Sequence, residues 1–105
     1  QLVALVFDIL QEERERLLRL KARYEEQLAS LPKGSLSMKR RGKRTYVYRA
    51  FRESRKVRFE YVGPINSDNA QEMYQKIRHR KDLEQKLRQV KANLVDVERG
   101  LRGQR

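Results

Sequence analysis

The chain has 105 residues, is 38% hydrophobic and 38% charged, and carries a formal net charge of +12. That balance cannot fill a large spherical core, so it favours one elongated domain over 1–105 with a polyanionic partner. Zero cysteines exclude disulfides and thiol chemistry and fit a reducing cytoplasm, and a single histidine leaves no metal site to assemble, so no metal or cofactor is expected.

Residues 1–31 read as a helix. Val3, Leu10, Leu17, Tyr24 and Leu31 fall at one heptad position and Val6 and Leu20 at the other, with Glu13 and Gln27 interrupting. Glu12 with Arg16 and Glu15 with Arg19 have the favourable i,i+4 spacing on the exposed side. From Leu2 to Leu10 the apolar residues cover more than one stripe, which implies a homo-oligomer or partner helices. That segment is shorter than the roughly 20 residues a bilayer span needs, carries Asp8 and lacks a basic leader, so no membrane partner is expected. The chain opens on Gln1 and not Met, which reads as a piece of something longer.

Residues 32–65 form the only β-prone stretch. Pro32 ends the helix and Gly34 permits a change of direction. Three antiparallel strands follow: Leu36 to Lys39, Arg44 to Arg52, and Lys56 to Val62, with turns around Gly42 and around Glu53, Ser54 and Arg55. Leu36 and Met38 are expected to pack on the helices together with Val57, Phe59 and Tyr61, because three short strands alone bury too little. Arg49 and Arg58 then belong to the open face.

The cluster Asn66 to Asn69 marks a helix start, with Asp68 and Gln71 or Asn69 and Glu72 as a capping box. The second helix covers 68–101. Leu83, Leu87, Val90, Leu94, Val97 and Leu101 make its seam, Met73 and Ile77 lie nearer the sheet, and 102–105 form a frayed tail. The fold class is therefore α+β: two long antiparallel helices, a coiled-coil hairpin, with a three-stranded antiparallel sheet inserted between them.

No nucleophile motif or phosphate-cradling loop occurs, and His79 among Lys76, Arg78, Arg80 and Lys81 reads as a surface side chain, so an enzyme is not expected. The insert holds eleven cations against Glu53 and Glu60 alone. Lys39, Arg40, Arg41, Lys43, Arg44, Arg49, Arg52, Arg55, Lys56 and Arg58, extended by Arg78 and Lys81, are the expected nucleic-acid contacts, with DNA ahead of RNA. The aromatics Tyr46, Tyr48, Phe59 and Tyr61 read as core first and as stacking groups second. Two other readings stay open: a protein-interaction module (adaptor, antitoxin or inhibitor) docking on an acidic surface, and a structural coiled-coil segment of a larger protein.

The stretch GSLSMKRRGKRTYVYRAFRESRKVRFEYVGP with the helix after it is similar in pattern to the arm-binding domains of tyrosine recombinases. That likeness implies a sheet docking in the DNA major groove. The order LPKGSL, KRRGKRTYVYRAFRESRKV, YVGP and IRHRKDLEQKL more closely resembles a group of uncharacterised prokaryotic proteins in which a coiled-coil hairpin carries a small β insert. This second resemblance implies the architecture and an association with mobile elements or defence loci, and it carries over no functional residue.

Overall fold

A computed structural model describes residues 1–103. It is an α+β fold in the order α1 (Leu2–Ala29), β1 (Ser35–Arg41), β2 (Arg44–Glu53), β3 (Lys56–Pro64) and α2 (Asp68–Gly103). Two compact units are distinguished, one combining Gln1–Ser30 with the residues from Leu83 onward, the other covering Leu31–Asp82. Gln104 and Arg105, part of the expected tail, lie outside the described residues; Arg102 and Gly103 still belong to α2.

In the helical unit α1 and the later turns of α2 run antiparallel. Leu10 lies against Gly100, the Arg14 Nε is 3.6 Å from a Glu98 carboxylate oxygen, and Leu17 clusters with Val90 and Leu94. Leu20, Tyr24 and Val97 pack around that cluster. The seam follows the heptad in its middle and leaves it at both ends. Val3 is 54% exposed, whereas Leu28 is buried where the strict repeat would place Gln27. A straight helix drifts against a seven-residue repeat, and the four-residue step from Tyr24 to Leu28 keeps the apolar stripe aligned. Helix α1 ends at Ala29 and leaves Leu31 outside it, as a residue before proline favours.

Arg16 pairs with Glu13, not with Glu12 as the i,i+4 spacing suggests, donating two hydrogen bonds of 2.9 and 2.6 Å. Those hydrogen bonds hold the Glu13 carboxyl below its usual range. What the pair adds to stability is therefore present above the unfolded carboxylate pKa and fades as pH falls through the lower folded value. The pair stands in solvent, which keeps that contribution small.

In the sheet unit the strand order is β1-β2-β3, both pairs antiparallel. Each hairpin closes with two residues. Arg41 pairs with Arg44 around Gly42 and Lys43, and Glu53 pairs with Lys56 around Ser54 and Arg55. Gly42 has φ +62°, and Ser54 and Arg55 have φ +50° and +69°, the left-handed values that tight hairpin turns demand. These turns set the register. Leu36 faces Arg49 and Met38 faces Val47, while Tyr48 faces Tyr61, Ala50 faces Phe59 and Arg52 faces Val57. Val57, Phe59 and Tyr61 therefore lie on the opposite side of the sheet from Leu36 and Met38, which corrects the expected grouping, since cross-strand partners share a face. A bulge at Val47 and Tyr48, opposite Tyr61 and Gly63, makes Val62 the additional residue of β3.

The inner face packs along the first turns of α2. Val47 is 2% exposed, Ala70 and Ile77 are buried, and Leu36, Met38, Val47, Ile65, Ala70 and Tyr74 share one groove. The helix is capped by Ser67 and not by the expected boxes: its Oγ accepts from the Ala70 N–H at 3.2 Å and donates to the Pro64 carbonyl at 2.6 Å. Arg80 donates to the Leu31 carbonyl at 2.9 Å, tying the incoming chain to α2. Gly34 has φ +103°, and a Cβ there would collide with the Ala50 carbonyl oxygen.

Gly42→Ala, with open space around it, should lower the unfolding free energy by about 1 kcal/mol through its left-handed backbone alone. Gly34→Ala should cost clearly more, since backbone must also move. Urea unfolding of the two variants beside wild type checks the order.

Candidate nucleic-acid interface

The outer face of the sheet is defined by strand parity. It carries Lys39 and Arg41 from β1, Arg44, Tyr46, Tyr48, Ala50 and Arg52 from β2, and Val57, Phe59 and Tyr61 from β3. Phe59 is 55% and Tyr61 54% exposed, and Val57 is equally open. The rings form one array: Tyr61 lies 5.3 Å from Tyr48 and 6.3 Å from Tyr46 between centroids, both pairs tilted. The Lys39 ammonium stands over it, 4.9 Å from the Tyr48 centroid and 5.3 Å from that of Phe59. That spacing is the range of a cation–π contact. Strand alternation assigns no carboxylate to this face: Glu53 and Glu60 both point to the inner side.

The expected contact residues divide into three groups. At the β1–β2 end Lys39, Arg40, Arg41, Lys43 and Arg44 are exposed, and the Arg40 Nε donates to the Gly42 carbonyl at 3.3 Å. At the β2–β3 end Arg52, Arg55, Lys56 and Arg58 are exposed, with Lys56 and Arg58 on the inner-face side of the strand. The two groups occupy opposite ends of β2. Arg78 and Lys81 form the third group on α2, where they border a groove with Ser35, Leu36 and Met38. Arg78 donates to the Tyr74 hydroxyl at 3.3 Å.

Arg49 belongs to none of them. Its Nη1 donates to the Lys33 carbonyl at 2.7 Å, its Nη2 meets Glu60 at 3.3 Å, and its guanidinium carbon lies 4.0 Å from the Phe51 ring centroid. The side chain is only 14% exposed. A planar, permanently charged fork suits this clamp between strands and the entering loop. Arg58, opposite Phe51, shares the inner face with it, so the Arg49 and Arg58 side is not the open one.

The sequence pattern favours a core place for Tyr46, Tyr48, Phe59 and Tyr61, and the structure sets them on the outer face of the sheet. A signal for that place exists in the turns: two-residue loops at Gly42–Lys43 and Ser54–Arg55 fix which strand positions meet, and that arithmetic sets Phe59 and Tyr61 beside Ala50 and Tyr48.

Among the described residues no cluster of three or more His, Cys, Asp or Glu could hold a metal ion, and no helix is long and apolar enough to cross a membrane. His79 is an exposed residue of α2.

The chain is thus an α+β fold that combines two antiparallel helical segments with a small basic sheet. Residues 10–72, more than half of the chain, match the family described as Domain of unknown function (DUF6788), and the chain belongs to that family. No curated protein and no solved structure matches it.

Removing the Arg49 fork should destabilise the sheet unit. Arg49→Ala leaves Glu60 and the Lys33 carbonyl without their donor, and a loss of about 2 kcal/mol is expected for charge-assisted bonds of this kind. Arg44→Ala, at an exposed position, should stay within about 0.5 kcal/mol of wild type. Chemical denaturation of both variants makes the comparison.

Proposed function

We propose that the chain binds nucleic acid without catalysis, DNA being the expected polymer and the setting cytoplasmic, through the outer face of its sheet and the two basic hairpin ends. The observation that carries this reading is the charge that strand alternation assigns to that face, where Lys39, Arg41, Arg44 and Arg52 surround an aromatic array whose Tyr61 alone borders a groove holding Glu60 and Glu72. Such a face concentrates positive potential where a polyanion can approach, and Lys and Arg contacts to phosphate supply affinity without reading sequence. Lys43, Arg55, Lys56 and Arg58 widen the field at the two ends, and Arg78 and Lys81 add to it from α2. Arg49 is left out because its donors serve the fold.

The test is a salt series. With about five phosphates neutralised, log affinity for a duplex should fall with log salt at a slope near −4 to −5. Arg41→Glu combined with Arg44→Glu should weaken binding at every sequence and flatten that slope by about 2. Unchanged affinity and slope in the double variant would remove the first hairpin end from the interface.

A helical partner is proposed for the start of α1, where Leu2, Val3, Leu5, Val6 and Ile9 are all exposed. An apolar patch of this kind on a helix marks an association surface. The occupant proposed is a second copy of the chain. Sedimentation should then give a dimer or larger species that Leu5→Glu combined with Ile9→Glu converts to monomer, whereas a wild-type monomer would contradict it.

A further inference from the structure

We infer that the outer face of the sheet is a stacking platform for unpaired bases, so that the preferred ligand is single-stranded; this rests on the nucleic-acid reading above and specifies its substrate class. Phe59 and Tyr61 expose more than half of their surface together with Val57 on one face, whereas on the inner face Val47 is buried and Met38 stays 59% exposed. Open rings are costly in water, and this array, whose rings are tilted 50° and 60° to one another, offers separate faces and edges for flat groups to cover. Nucleobases have that shape, and every base offers a π-face, so stacking tolerates any sequence.

The charges fit the same ligand. Lys39 already hovers over Tyr48 and Phe59, so its ammonium sits within reach of a base laid on either ring and of the phosphate attached to it. Arg44 and Arg52 stand eight residues apart on β2, about 26 Å at roughly 3.3 Å per residue, one at each end of the aromatic array. A single strand crossing the face would meet a cation, then rings, then a cation. A duplex keeps its base faces stacked on one another and offers this surface only its phosphates. An apolar protein segment would cover the rings too, but it leaves the four cations of the face without partners.

The test titrates the full chain into three fluorescein-labelled probes at two salt concentrations: oligothymidylate, oligouridylate of equal length, and a fully paired DNA duplex. A length of about 12 nucleotides suits the 4–16 typical of small β domains. Wild type should bind the unpaired probes more tightly than the duplex. Phe59→Ala combined with Tyr61→Ala should lose about 5- to 150-fold per ring on the unpaired probes, with duplex affinity and salt slope unchanged. Tyr61→Phe, which keeps the ring, should retain affinity. Because the chain has no Trp, Phe59→Trp supplies a unique reporter whose fluorescence should be quenched by the unpaired probes alone. A preference between the two unpaired probes identifies the sugar and supports the proposal equally. Equal affinity for unpaired and paired probes, with no effect of the double substitution, overturns the stacking platform and leaves the phosphate-binding reading standing. Absence of salt-dependent binding to any probe overturns both.

Discussion

The two tight turns at Gly42–Lys43 and Ser54–Arg55 are the constraint on which the rest depends. A strand has two faces, and a slip of one residue would exchange them along its whole length. By pairing Arg41 with Arg44 and Glu53 with Lys56, the turns send Leu36, Met38 and Val47 to α2 and leave Tyr48, Phe59 and Tyr61 outside. Ser54 and Arg55 accept left-handed backbone without glycine to do so. Non-glycine residues in that region carry a cost of about 1 kcal/mol or more each, which the ladders on either side have to offset.

The same register separates arginines that composition treats alike. Arg49 lands on the inner face, where its fork meets Lys33 and Glu60 and its plane lies on Phe51, and its buried Nε has no hydrogen-bond partner. Most of its charge is therefore spent on holding the loop from α1 against β2. The outward cations Lys39, Arg41, Arg44 and Arg52 face water. The surroundings of each arginine follow from which side of the strand it occupies.

The helices, the three strands and their connections were legible because each has its own period: apolar spacing near 3.5 in Leu17, Leu20, Tyr24 and Leu83 to Leu101, and alternation in Lys56 to Val62. The ends of elements were less so. Ser67 caps α2 although Asp68 and Asn69 are equally good capping residues, since only Ser67 is held by the Pro64 carbonyl in the required position. The sequence also located the basic region, and its hairpin ends are open as expected. What it concealed was the orientation of the sheet. Alternation within β3 shows that Val57, Phe59 and Tyr61 share a side, but which side meets α2 depends on turn length and on the bulge at Val62. The rule that apolar groups go inward then misplaced them.

The central claim is that the aromatic and basic outer face receives the ligand. Amide and aromatic NMR shifts of the isotopically labelled chain, followed during titration with an unpaired oligonucleotide, test it most directly. The account predicts that the largest changes fall on Lys39, Tyr48, Phe59 and Tyr61, with Arg44 and Arg52 next. Changes confined to the inner side at Leu36, Met38, Arg49 and Tyr74, with the outer rings silent, would contradict it.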